Sequence, residues 1–281
     1  MTYNLTDLDF PICKTKRCAK YIKNVTNADY THFATCHFTK YCDIILHNEL
    51  VNFEKYILNF FVEYVNNSTD DVKSKSCMIE RLLCYMAEYA RIEMMQLLMD
   101  SLNFRINDED NQKIISNVII NSIDNDDNDN NSKTIGFLIE LGADINANSN
   151  PNALALDPSA ETYLWHVCIR YKRNGHIIAK LLLEKGADPN TMDYLHLACE
   201  SGQSKVAEIL LQYGANVSAG AMASAISDRQ EHVVKLMLNN GANIEETTSH
   251  FYEFYGKTDS KLIDLLLDAG MDPVTMAKFF V

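Results

Sequence analysis

Seven side chains near the N-terminus have the donor chemistry of a zinc site: Cys13, Cys18, His32, Cys36, His37, Cys42 and His47. Zinc takes four thiolate or imidazole ligands in a tetrahedron, and structural sites commonly present them from tight C-x2-4-C knuckles. Here the cysteines fall at 13 and 18 and at 36 and 42, both wider than a knuckle, with no glycine among them to turn one. These spacings favour half-buried thiols, and a zinc-binding N-terminal module is an alternative only. A second candidate is the octet Asp124 to Asn131, built of Asp and Asn alone as calcium loops can be. It lacks the glycine at its sixth position and the glutamate at its twelfth that an EF-hand requires. It is expected to be a solvated insertion loop, so no metal is assigned.

Nucleophiles fare no better. Cys168, Cys199 and His196 have reactive side chains, but no nucleophile elbow surrounds them. No G-x-x-x-x-G-K sequence offers a phosphate cradle, and Lys205 and His232 sit at helix starts where solvation is the simplest role. The expectation is no catalytic residue, no cofactor and no enzyme.

The elements that hold these residues are better defined. Residues 186–218 place one short helical hairpin between two Gly-Ala-(Asp/Asn) turns. Tyr194 to Cys199 gives an inner helix, and Val206 to Leu211 an outer helix with an apolar stripe at helical spacing. Gly214 stands where a left-handed residue would cap the second. The ending recurs at Gly142, Gly186, Gly214, Gly241 and Gly270, at intervals of 44, 28, 27 and 29 residues. A hairpin of this size cannot bury its apolar faces alone, but stacked copies can.

This stretch resembles the ankyrin repeat, with its T-P-L-H-x-A opening and its Leu-rich helix before a Gly-Ala-Asp turn. Leu195, His196, Ala198, Leu210, Leu211, Gly214 and Ala215 carry the resemblance, and Asp193 and Tyr194 stand where the pattern has Thr and Pro. The family period is about 33 residues. Three intervals are shorter, which predicts clipped loops, and the long one has its surplus in Asn148 to Ala160. The resemblance implies an all-α solenoid of about seven helix-turn-helix repeats. Recognisable repeats cover residues 132–273, degenerate ones 39–131, a non-repeat cap 1–38 and a C-terminal cap 274–281.

Charge and composition narrow the partners. The net charge is −13, which argues against generic binding to nucleic acid. Residues 1–42 hold six Lys or Arg and three Asp, so the remainder carries the acidity. No apolar run approaches the roughly 18 residues of a membrane span, and the first ten residues lack the basic and apolar regions of a secretory signal. Eight cysteines over this length, several at apolar helix positions, fit a reducing compartment. A cytoplasmic monomer is expected. The richness in Asn, Ile, Tyr and Lys over Ala, Gly and Pro suits an AT-rich genome, as in large DNA viruses or some intracellular bacteria, so the compartment would be host cytoplasm.

The resemblance also implies a role: protein binding through a concave face of inner helices and turn tips. Carried over by register from the glycines, the face holds Leu197, Glu200 and Ser201 in one repeat and Ser224, Ser227 and Asp228 in the next. The preceding repeat adds His166, Ile169 and Arg170, and Thr191 to Asp193 form an upper rim. His196 is implied to brace backbone groups of neighbouring turns. Asn146 and Asn190 match the position that asparagine hydroxylases modify in this family, with turn-bracing as the competing role. A substrate adaptor, recruiting ubiquitin-ligase or similar machinery through residues 1–38, is the alternative function.

Overall fold

Five helices end in the same way, and that ending sets the architecture. Gly142, Gly186, Gly214, Gly241 and Gly270 all take positive φ, between 83° and 105°. The next N–H then turns back to the carbonyl five residues earlier, as Ala143 to Leu138, Ala187 to Leu182, Ala215 to Leu210, Ala242 to Met237 and Met271 to Leu266, at 2.9–3.1 Å. This satisfies a carbonyl that the helix end would otherwise orphan.

The computed structural model describes residues 58, 62, 63, 65–67, 72–88, 90–124, 131–146, 162–169, 174–247 and 260–275. Its helices are α1 Val72–Glu88, α2 Ile92–Ser101, α3 Glu109–Asp124, α4 Asn131–Glu140, α5 Tyr163–Ile169, α6 Gly175–Glu184, α7 Tyr194–Glu200, α8 Ser204–Gln212, α9 Ala219–Ser227, α10 Glu231–Asn239, α11 Ile244–Thr247 and α12 Ser260–Asp268. No strand occurs among the described residues. The chain divides into two compact units, Met1–Met86 with Glu93–Phe104 and Ala87–Ile92 with Arg105–Val281. In the first, α1 and α2 bury Leu82, Leu83, Met95 and Leu98.

The larger unit is two layers of helices. α3, α5, α7, α9 and α11 pack in sequence as an inner row, and α4, α6, α8, α10 and α12 as an outer row. Each hairpin α3/α4, α5/α6, α7/α8 and α9/α10 also closes on itself. The outer helices turn one stripe inward: Ile178, Ala179, Leu182 and Leu183 from α6, and Val206, Ala207, Leu210 and Leu211 from α8. Burial of the Ile, Leu and Val side chains among them contributes about 1.5–3 kcal/mol each. The inner helices carry small buried residues, Ala198, Cys199 and Ala225, which let neighbouring helices approach.

The loops leading into inner helices shorten along the stack. α7 starts 8 residues after Gly186, α9 starts 5 after Gly214, and α11 starts 3 after Gly241. The shortening of the 186–214 and 214–241 intervals therefore lies in the turn tips. α11 was not foreseen: the sequence places the seventh inner helix at 250–255, outside the described residues, whereas the turn at 244–247 packs on α9. The N-terminal cap, the first hairpin over 39–65 (bar a few helical residues), the Asn148–Ala160 loop and Phe254 also lie outside them.

Candidate functional site

Three inner helices, α5, α7 and α9, begin with a capped turn. Asp193 accepts the backbone N–H of His196 at 3.1 Å, and Thr162 accepts that of Trp165 at 3.2 Å. Ser218 does the same for Ala221 at 3.0 Å. Such caps satisfy first-turn donors, so Asp193 performs the work of the threonine it replaces. The tyrosine in place of proline has its own role. Tyr194 is 2% exposed, and its hydroxyl meets that of Thr162 in the preceding repeat at 2.8 Å. Tyr163, one repeat earlier, donates to Ser116 at 2.9 Å. Each ring fills the space between two inner helices and is tied at its far end. Burial, partly opposed by the Ser116 bond, raises the Tyr163 hydroxyl to about 12.

Two buried glutamines lock the other end of the inner helices. Gln203 donates to the carbonyls of Val167 at 2.9 Å and Cys168 at 2.6 Å, and Gln230 donates to that of Cys199 at 2.7 Å. Both reach back one repeat to carbonyls that a helix C-terminus leaves without intrahelical partners. Neither was picked out from the sequence, though their separation of 27 equals that of Gly214 and Gly241.

At the tips, side-chain amides imitate backbone pairing. Asn190 donates to the Gly214 carbonyl at 3.1 Å and accepts the Asn216 N–H at 2.8 Å. Gln112 treats Gly142 and Asp144 in the same way, at 3.1 and 3.3 Å. The backbone N–H groups of Asn146 and Asn190 bond to Asp144 and Asp188, two residues before each. Both asparagines are exposed. For Asn190 the doubly engaged amide is what the bracing role requires.

The expected binding residues separate into three groups. Glu200, Ser227 and Asp228 are exposed, while Ile169, Leu197, Ser201 and Ser224 are half-buried along the inner row. Arg170 lies outside the described residues. His166 is a correction: it is 4% exposed and cannot present itself to a partner. α3 is 16 residues long against 7 for α5, and its last residue, Asp124, comes beside the imidazole, with Oδ1 4.0 Å from Nδ1. Helix length could not be compared at that point from glycine register alone. The His196 ring also differs from expectation. It packs on Gly220, where a Cβ would approach Cε1 and Nδ1 to 3.4 Å, because the early start of α9 brings its first turn against the ring.

Among the described cysteines, Cys168 and Cys199 are sealed in the core, whereas Cys77 is exposed and Cys84 half-buried. Cys168 and Cys199 are both 0% exposed. Burial pushes the Cys168 thiol far up, and burial with the Asp193 and Asp228 carboxylates pushes Cys199 to about 12. A thiol held protonated is a poor nucleophile and a poor metal ligand. The cysteine and histidine set at 13–47 lies outside the described residues. No described helix is long and apolar enough to cross a membrane.

A family model described as ankyrin repeats in three copies matches residues 127–221 and again 166–248. A fowlpox virus ankyrin repeat protein, FPV244, is 29% identical over 112 residues. That match takes in 36% of this chain and 17% of the relative's own length.

Proposed function

We propose that this chain, which belongs to the ankyrin repeat family, is a non-catalytic module that binds a protein partner across the inner-helix row and the adjoining tips. Ankyrin repeats are generally protein–protein interaction modules, and the family is typically non-catalytic. The observation that carries the reading is the division of labour along α5, α7 and α9. On these helices His166, Cys168 and Cys199 are buried. The register positions Ile169, Leu197 and Ser224, with Glu200, Ser227 and Asp228, stay accessible along one line of packed helices. A rigid row of this kind offers recognition without a loop having to order first, which lowers the entropy cost of binding.

The tip lengths point to the same region. Only the 185–193 tip among those after Gly186 keeps a long loop, so Thr191 to Asp193 form the nearest rim to the α5 and α7 faces. The test is the joint replacement of Ile169, Arg170, Leu197 and Glu200 by Ala or Ser. Partner capture should fall at least about tenfold, or 1.4 kcal/mol, with the melting temperature unchanged. Capture that survives would move the site elsewhere, to residues 1–38 of the adaptor reading first of all.

A further inference from the structure

We infer that the partner presents a basic, amphipathic segment to the α7–α9 face; this rests on the inner-row binding reading above. Charge is segregated between the two layers. The outer elements 204–212 and 231–240 hold Lys205 and Lys235 against Glu208 and Glu231, a net of zero. There His232 lies 3.5 Å from Glu208. The inner elements and tips over the same repeats, 186–203 and 213–230, hold Asp188, Asp193, Glu200 and Asp228 against Arg229 alone, a net of −3.

Glu200 is the last residue of α7, and Asp228 is the residue that follows the end of α9. Both are exposed, and among the described residues neither lies in an ion pair. Asp193 spends one oxygen on its helix cap and is exposed otherwise. On α7, three residues before Glu200, Leu197 is half-buried, and Ile169 and Trp165 are half-buried one repeat earlier on α5. Apolar side chains flanked by unmatched carboxylates complement a segment with Lys or Arg on one side and aliphatic groups on the other. Rim charges of this sort set association rate and partner choice more than raw affinity. Arg170, Lys172 and Arg173 follow α5 in the sequence, so the preference is confined to the two repeats beyond it.

Trp165 is the one tryptophan of the chain, which makes its fluorescence a reporter on this row. The test titrates the full chain with a synthetic 16-residue peptide of Leu and Lys at helical spacing, and with the same peptide carrying Glu for Lys. The Lys peptide should bind, weakening as salt rises, and the Glu peptide should not. Glu200→Gln with Asp228→Asn should weaken binding at least about tenfold. Glu231→Gln with Asp264→Asn removes the same charge from the outer row and should leave binding within about twofold. Equal losses from both pairs, or no loss from the first, would overturn the proposal. If Ile169→Ser with Leu197→Ser abolishes capture of a natural partner that the Glu200/Asp228 pair leaves untouched, the inner-row reading stands and the basic partner falls.

Discussion

The Gln230 side chain donates to the Cys199 carbonyl at 2.7 Å, and Gln203, 27 residues earlier, donates to the Cys168 carbonyl at 2.6 Å. One contact type, repeated, ties the starts of α8 and α10 to the inner helix of the preceding repeat. Removing Gln203 takes the side-chain donor from two buried carbonyls, a loss of about 1–3 kcal/mol for the two bonds together. Gln203→Ala should therefore destabilise by that amount in chemical denaturation. It should cost more than Gln212→Ala, an exposed glutamine at the far end of α8. Equal effects would mean that water replaces the clamp freely.

Tyr194 and Thr162 give a second repeat-to-repeat tie. Tyr194→Phe keeps the ring and removes only the hydroxyl, and should cost about 1 kcal/mol. Tyr194→Pro restores the family's residue but empties the space that the ring fills, and should cost about 3–5 kcal/mol, as large-to-small core changes do. If the proline variant were as stable as the wild type, the ring would not be part of the inter-repeat core.

The thiols predict an alkaline limit. In the unfolded chain a cysteine ionises near pH 8.5, whereas burial holds the Cys199 thiol to about 12 in the fold. The folded pKa is the raised one. The stabilisation is therefore complete below about pH 8.5 and is lost as pH rises towards 12. The slope is about 1.4 kcal/mol per pH unit for each fully ionised thiol. Melting temperature followed from pH 7 to 10 should fall less steeply in a Cys168→Ala, Cys199→Ala protein. Native Cys199 should also resist thiol reagents until the stack unfolds.

Much of this stack was legible because its rules are local. Five glycines after Leu-rich runs fix the helix ends, and the helical spacing of Leu210, Leu211, Val206 and Ala207 fixes which side goes in. The clipped intervals were readable too. What depended on contacts between repeats was not. Tyr194 looked like a lapse from the pattern until its hydroxyl was placed against Thr162. His166 looked accessible because its register matched Leu197, and only the extra length of α3 buries it. The residues that register alone places on α7 and α9 divide into exposed ones, Glu200, Ser227 and Asp228, and half-buried ones, Leu197, Ser201 and Ser224; Arg170 lies outside the described residues.

Gly202 and Arg229 hold the same place in successive hairpins, at φ 69° and 55°. The following N–H groups, of Gln203 and Gln230, turn back to Ala198 and Ala225 at 2.8 Å. A Cβ at Gly202 would meet nothing within 4 Å, so any cost of adding one is conformational. The left-handed backbone costs an L-residue about 1–2 kcal/mol, offset by about 0.4–1 kcal/mol from a less flexible unfolded chain. Gly202→Ala should thus destabilise by about 1 kcal/mol. An unchanged midpoint would show that this turn relaxes.

Leu210 is 0% exposed and Leu211 5%, on a helix packed between α6 and α10. Leu210→Ala should open a cavity and cost about 2–5 kcal/mol. In a stack the interfaces between neighbours hold much of the stability, so the damage should not stay in one hairpin. Amide exchange should quicken in α6 and α10 as well as in α8. Ile177, 46% exposed on the outside of α6, supplies the contrast, and its replacement by Ala should stay within about 0.5 kcal/mol. Exchange that quickened in α8 alone would show that each hairpin holds itself, and that the continuous row needed for a rigid binding face is not mechanically one piece.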